Sequence, residues 1–255
     1  MKAAFTTLLL LLAALPAAAQ VRFDDTTVGG PRSGKPVELY LPQTAPTSAV
    51  IVLHGCDGVG PHYREWATRL AEWGYAALLI DSFGPRGFAR VCNHGELVPP
   101  AVQARDAFDG AAYLRARPDL HIQRTGVIGF SHGGWAVLKA VLAGIARPPN
   151  DPPFAAAVAY YPGCDPPTSP LETDTLILIG SADDWTPAAR CQRWRGAVNA
   201  NGHTIDMTIY PGAFHGLDSP FPPHDFAGHH VGGDPAARPA SIAATQAFLA
   251  ARRGP

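Results

Sequence analysis

Short apolar runs recur along the chain, separated by longer segments of mixed character. Val50-Ile51-Val52-Leu53, residues 76–80, Val127-Ile128, residues 155–160 and residues 176–179 are continuous and mostly aliphatic. Runs of this length without alternation suit strands buried on both faces of a parallel sheet. Residues 37–41 and 205–210 alternate more and predict two further strands. Between the runs lie helical stripes. Trp66, Leu70 and Trp73 share a face over residues 63–73, and Phe108, Ala111, Ala112 and Leu114 lie near one face over residues 101–116. Trp135, Leu138, Val141 and Leu142 form a third stripe, and residues 188–200 and 241–251 complete the set. Apolar stripes at this spacing read as core-facing. Strand and helix alternate along most of the chain. The pattern predicts an α/β fold: a doubly wound, mostly parallel sheet with helices on both faces, in a single domain. Ligands in such sheets bind beyond the carboxyl ends of the strands, so chemistry is expected just after each apolar run.

The N-terminus reads differently. Lys2 precedes an apolar run through residues 8–15, Pro16 breaks it, and Ala17-Ala18-Ala19 offers a small-residue cleavage site. Residues 1–19 are expected to be a secretory signal peptide, too short in its apolar core to span a bilayer comfortably. The mature chain then starts at Gln20, residues 20–255 form the single domain, and the protein is periplasmic or secreted without a membrane attachment. Twenty Lys/Arg against 21 Asp/Glu leave a formal charge of −1, which points to neither nucleic acid nor an anionic membrane as partner. The 26 prolines cluster at Pro99-Pro100, Pro148-Pro149, Pro152-Pro153 and Pro222-Pro223, which read as loop markers. Export permits disulfides among the four cysteines, Cys56, Cys92, Cys164 and Cys191. No C-x-x-C pair is present, and the three complete pairings stay open at this point.

The candidate chemistry begins at Gly129-Phe130-Ser131-His132-Gly133-Gly134, which fits G-x-S-x-G. In a glycine-rich chain the pentapeptide can also arise by chance, so its context decides. A buried strand before it and an amphipathic helix after it are the context that a nucleophile elbow needs. There the serine sits at a sharp strand-to-helix turn, at a helix N-terminus that favours developing negative charge. In such folds the acid and then the histidine follow the serine along the chain. Ile179-Gly180-Ser181-Ala182-Asp183-Asp184 and Tyr210-Pro211-Gly212-Ala213-Phe214-His215 each place a polar group a few residues beyond a strand. The expected roles are Ser131 as nucleophile, His215 as general base and then acid, and Asp183 as the group that orients and stabilises the imidazole. Asp184 is the competing acid. The oxyanion hole is expected from the backbone N–H of His132 and that of Cys56, in the loop Leu53-His54-Gly55-Cys56-Asp57-Gly58. The side chains of His54 and His132 are expected to support that loop.

These segments resemble the dienelactone hydrolase family of α/β-hydrolases. The resemblance covers most of residues 20–255 and is carried by "VLHGCDG", "IDSFGPRG", "VIGFSHGG", "AYYPGC", "LILIGSADDWTPAARC" and "YPGAFHG". In the family the acid follows a Gly-x-x-Asp pattern ahead of a proline, which here runs from Gly180 to Asp183 with Pro187 beyond. The chain departs from the family in two respects. Dienelactone hydrolases proper carry a cysteine nucleophile where this chain has Ser131. They also hold the substrate carboxylate with arginines; Arg86 matches one of these, whereas the position four residues after His215 is Ser219. The resemblance therefore implies a small neutral carboxylic ester as substrate, with Arg86 either at the substrate or in a structural ion pair. In this topology Cys56 and Cys92 follow early neighbouring strands and Cys164 and Cys191 follow later ones, which implies disulfides Cys56–Cys92 and Cys164–Cys191.

Other readings remain. A scaffold of this kind can persist as a non-catalytic binding protein. The same triad can cleave thioesters, lactones or amides. His224, His229 and His230 lie near Asp225 and Asp234, but Gly228 and Gly232-Gly233 read as an exposed loop and no H-E-x-x-H motif is present. Neither a metal nor another cofactor is expected. The oligomeric state is not legible.

Overall fold

The computed structural model describes residues 20–23 and 37–253. The leader assigned to residues 1–19 lies outside the described residues. Strands β1 (Gln20–Phe23), β2 (Val37–Tyr40), β3 (Ser48–Leu53), β4 (Ala76–Ile80), β5 (Arg124–Phe130), β6 (Ala157–Tyr160), β7 (Thr175–Gly180) and β8 (Ile205–Tyr210) form one sheet. Their order is β1-β2-β4-β3-β5-β6-β7-β8. Strands β3 to β8 run parallel, and β1 and β2 pair antiparallel at one end. The sequence pattern follows from position. β3, β4, β6 and β7 are buried at every residue, while edge strand β8 alternates between exposed and half-covered positions before its buried last residue. A central strand covered on both faces needs unbroken apolar character; an edge strand with one wet face does not.

The helices are α1 (Pro61–Glu72), α2 (Pro100–Ala116), α3 (His132–Ala140), α4 (Ala188–Ala197) and α5 (Ala237–Ala250). Strand register assigns them to faces. Ile51 pairs with Leu78 and Val127, so these three share a face, while Phe130, paired with Tyr160, points the other way. Gly110 of α2 packs on Ile51, Leu78 and Ile80, whereas Trp66 of α1 packs on the Phe130 and Tyr160 rings. Helices α1 and α2 therefore cover opposite faces. Arg238 of α5 reaches Glu65 of α1 at 2.6 Å, placing α5 beside α1.

Several prolines start helices instead of filling loops. Pro61 and Pro100 open α1 and α2, and Pro187 caps α4. The fixed φ of proline suits the first helical turn, where its missing N–H has no intrahelical partner. The Pro99-Pro100 pair is thus a helix start, a correction to its reading as a loop marker. A second correction concerns residues 224–231, expected as an exposed loop: most of them are exposed, but they pair as a hairpin, β9 (His224–Phe226) and β10 (His229–Val231). Ala227 and Gly228 at its tip both have positive φ, 52° and 87°, as a two-residue turn matched to strand twist requires. No helix among the described residues is long and apolar enough to cross a membrane.

Candidate active site

The carboxyl ends of β3, β5, β7 and β8 deliver Cys56, Ser131, Asp183 and His215 to one edge of the sheet. Ser131 caps α3 with φ 54° and ψ −113°, a strained conformation for a residue with a side chain. The flanking glycines are sterically required. A Cβ on Gly129 would meet the Gly133 carbonyl oxygen at 2.2 Å, and one on Gly133 would meet that of Leu53 at 2.3 Å. The Ser131 N–H donates to the Tyr160 carbonyl at 3.0 Å and its carbonyl accepts from Trp135 N–H at 2.8 Å, so both neighbouring elements hold the turn.

Ser131 Oγ lies 2.9 Å from His215 Nε2, and His215 Nδ1 lies 2.9 Å from Asp183 Oδ2. His215 and Asp183 are both buried. Asp183 Oδ1 accepts the backbone N–H groups of Trp185 (3.0 Å) and Thr186 (2.8 Å). Thr186 Oγ1 sits 2.9 Å from Asp183 Oδ2, 3.0 Å from the Tyr161 carbonyl and 3.2 Å from His215 Nδ1. The carboxylate is thus oriented from three sides. Asp184, the competing acid in the sequence, points elsewhere, with Oδ1 3.3 Å from His229 Nδ1. The His215 ring lies against those of Tyr161 (centroids 4.6 Å apart) and Trp185 (5.0 Å). A backbone hydrogen bond from Gly232 N–H to the His215 carbonyl, at 2.8 Å, ties this loop to the β9–β10 hairpin.

On the opposite side, His54 and His132 are buried and hydrogen-bonded. His54 Nδ1–H donates to the Gly55 carbonyl at 2.7 Å, and Nε2 accepts the Ser82 N–H at 3.1 Å. Burial lowers the His54 pKa and pushes that of His132 down to about 4, because a charged imidazole loses its hydration there. His132 opens α3, where a backbone N–H has no intrahelical acceptor. Cys56 lines the cleft beside Ser131 and is joined to Cys92, while Cys164 is joined to Cys191.

Arg86 is not brought to the cleft. Its guanidinium makes a bidentate pair with the buried Asp106 (2.7 and 2.9 Å) and donates to the Ser82 carbonyl at 2.6 Å. A fork committed to a buried carboxylate is structural, so of the two roles expected for Arg86 the ion pair is found and the substrate-binding role is corrected. Arg90 lines the cleft instead, exposed and without a charged partner among the described residues. The histidines of the hairpin are spread out: His229 faces Asp184, His230 faces Asp225, and His224 donates to the Pro222 carbonyl at 2.9 Å. Among the described residues no group of three or more His, Cys, Asp or Glu side chains is arranged to hold a metal.

Three participants were not singled out from the sequence. Gln103 is buried in α2 and bonds to both His54 and His132. Its signal was a polar residue four positions before Ala107 and eight before Ala111, on the core-facing stripe. Thr186 had its signal in Asp183-x-x-Thr186 ahead of a helix. Asp218 is buried and accepts from Trp66 Nε1 (2.6 Å) and the Tyr161 hydroxyl (2.8 Å), with His62 Nε2 3.1 Å away. Burial pushes its carboxyl up, but the facing His62 and the two donors outweigh this and hold it below its usual value. Nothing in its sequence neighbourhood marked it.

The strand order, the strained serine elbow after β5 and the histidine loop after β8 define an α/β-hydrolase. Within that class the chain belongs to the dienelactone hydrolase family, whose model matches residues 36–251. It is therefore a hydrolase acting on a small-molecule substrate. A Methylorubrum extorquens protein named as a carboxymethylenebutenolidase is 26% identical over 201 residues, covering 70% of this chain and 66% of that protein. The fold is shared with a Klebsiella pneumoniae protein named as a dienelactone hydrolase (TM-score 0.72, 22% identity, 92% of this chain and 99% of that one). It is also shared with a thermophilic esterase of Thermogutta terrifontis with propionate bound (TM-score 0.65, 18% identity, 92% and 94%).

Proposed function

We propose that the protein is a serine esterase that works through an acyl-enzyme. The observation that carries this reading is the hydrogen-bonded chain from Ser131 Oγ through both His215 nitrogens to Asp183 Oδ2, with 2.9 Å at each link. His215 removes the Ser131 proton as Oγ attacks the carbonyl carbon, then gives it to the departing alcohol. Asp183 keeps the Nδ1–H tautomer and stabilises the imidazolium. The Cys56 and His132 backbone N–H groups receive the developing oxyanion. Water, activated by His215 in turn, releases the acid and restores Ser131.

The test is hydrolysis of short p-nitrophenyl esters combined with labelling by a fluorophosphonate. Ser131→Ala is expected to abolish labelling and to lower turnover at least about a thousandfold, with a similar loss for His215→Ala. A non-catalytic scaffold would leave Ser131 unlabelled, and a metal-dependent enzyme would lose its rate to a chelator. Unchanged turnover by Ser131→Ala overturns the reading.

A lactone is the second reading, favoured by Arg90, an exposed cation at the cleft with no charged partner among the described residues, which suits a carboxylate on the substrate. Arg90→Ala would then raise KM for a carboxylate-bearing lactone and leave neutral esters untouched. The two disulfides fit an oxidising compartment. They support export by a leader at residues 1–19 and a mature domain of residues 20–255, which N-terminal sequencing of the secreted protein would test.

A further inference from the structure

Ser131, Cys56 and Trp185 stand between two clefts that differ in lining. The larger, about 380 Å³, is lined by His215 together with Tyr63, Tyr161, Phe221 and Phe226. The smaller, about 260 Å³, is lined by His132, Val91, Asn93, Cys92 and Trp135, and His215 does not line it. An ester has two arms, and the chemistry assigns them. The imidazole that takes the Ser131 proton must return it to the leaving oxygen, so the alcohol arm belongs in the cleft that His215 lines. The acyl carbon stays bonded to Ser131 with its oxygen on the N–H groups of Cys56 and His132. Its chain then extends into the other cleft.

We propose that this site, on the serine-esterase reading above, is selective for aryl esters of short acids: a phenolic leaving group in the His215-side cleft and a length-limited acyl chain in the disulfide-side cleft. The first cleft is walled by flat rings. Phe226 and Trp185 have centroids 6.1 Å apart, and Phe221 is 50% exposed at the cleft, an apolar ring kept in water. Offset or edge-on ring contacts favour a planar aromatic guest. The second cleft has fixed walls. The Trp135 indole N–H donates to Asp165 at 2.9 Å, Lys139 holds Asp165 at 3.1 Å, and the Cys56–Cys92 disulfide bounds another side. In the first step the Oγ–acyl bond forms, the acyl–oxygen bond to the phenol breaks, and the Ser131 proton leaves on the phenol through His215. In the second, water takes the acyl group and its proton returns to Ser131.

The experiment compares acetates of 2-naphthol, phenol and hexafluoroisopropanol, alcohols of similar acidity, so that leaving-group chemistry is nearly constant. It adds a 2-naphthyl series from acetyl to octanoyl. The wild type is expected to prefer naphthyl over hexafluoroisopropyl acetate by about tenfold or more in kcat/KM, and to lose activity as the acyl chain lengthens. Phe221→Ala/Phe226→Ala is expected to lower that preference about tenfold with the acyl series unchanged. Trp135→Leu is expected to extend the acyl range with the naphthyl preference unchanged. Equal kcat/KM for the three acetates overturns the aryl preference. Crossed effects, with Trp135→Leu moving the leaving-group ratio and the phenylalanine pair moving the acyl limit, overturn the orientation. The esterase reading fails separately: no ester is turned over and fluorophosphonate leaves Ser131 unlabelled, an outcome that removes this proposal with it.

Discussion

Gln103 Oε1 accepts a hydrogen bond from His132 Nδ1–H at 2.8 Å. The Gln103 amide nitrogen donates to the His54 carbonyl at 3.0 Å, which fixes the orientation of the amide and with it the His132 tautomer. One buried side chain of α2 thereby connects the two loops that carry the Cys56 and His132 N–H groups. Gln103→Leu leaves a buried carbonyl and a buried N–H unpaired, at a cost of about 1–3 kcal/mol each. Removing one oxyanion donor outright costs about 10²–10³ in kcat, so displacing two of them is expected to cost about 10–100-fold. KM is expected to change little. Gln103→Glu keeps the acceptor for His132 but loses the donor to His54, and should fall between the two. Steady-state kinetics at a temperature where both variants are folded would check this; a loss of stability with kcat intact would make Gln103 purely structural.

Asp183 and Asp184 make a contrast within one dipeptide. Asp183→Asn is expected to lower kcat by about 10⁴-fold, because an amide can present an N–H to Nδ1 and reverse the tautomer. Asp184→Asn should leave kcat within about twofold, as Asp184 is exposed and pairs with the half-buried His229, away from His215. Thr186→Val removes one of three supports for the Asp183 carboxylate, so its loss should be nearer tenfold. Kinetics on one p-nitrophenyl ester would separate all three. An Asp184→Asn variant as damaged as Asp183→Asn would reassign the acid.

The sequence and the structure agree where local pattern and position coincide. Continuous apolar runs marked β3 to β7 because those strands are covered on both faces, and the glycines around Ser131 marked the elbow because two backbones touch there. What was not legible depended on partners remote in the chain. Arg86 has the same sequence context whether it meets substrate or Asp106, twenty residues on. Asp218 gains its role from Trp66 and Tyr161, brought from α1 and the end of β6. The hairpin at residues 224–231 was obscured by its glycines, which are turn residues in a hairpin as readily as in a loop.

The two disulfides should differ in what their loss removes. Cys56 carries a proposed oxyanion N–H, and its carbonyl accepts from Val91 N–H at 2.8 Å. Cys56→Ala/Cys92→Ala keeps the backbone donor but frees its loop, so kcat is expected to fall about tenfold. Cys164→Ala/Cys191→Ala removes a tether from α4 to the loop after β6, and should chiefly lower unfolding free energy by about 2–4 kcal/mol. Parallel denaturation and kinetics would show the split. Equal effects of the two pairs on kcat would rule out a special place for the Cys56 loop.

Stability should fall in mildly acidic solution for a reason located at His132 and His54. Both imidazoles have pKa values below 6.5, His132 at about 4, because burial excludes their charged forms. Between pH 6.5 and 4 the unfolded chain binds protons that the folded chain refuses, so folding free energy is complete above pH 6.5 and declines as the pH drops. For His132 alone the decline amounts to about 3 kcal/mol by pH 4, where the folded imidazole protonates too. Urea unfolding midpoints at pH 7.5 and 5 would measure it. His132→Asn removes one of the two histidines and should flatten the difference, even where the substitution lowers stability at both pH values. A wild-type midpoint equal at pH 7.5 and 5 would contradict neutral, proton-excluding imidazoles beneath the oxyanion loop.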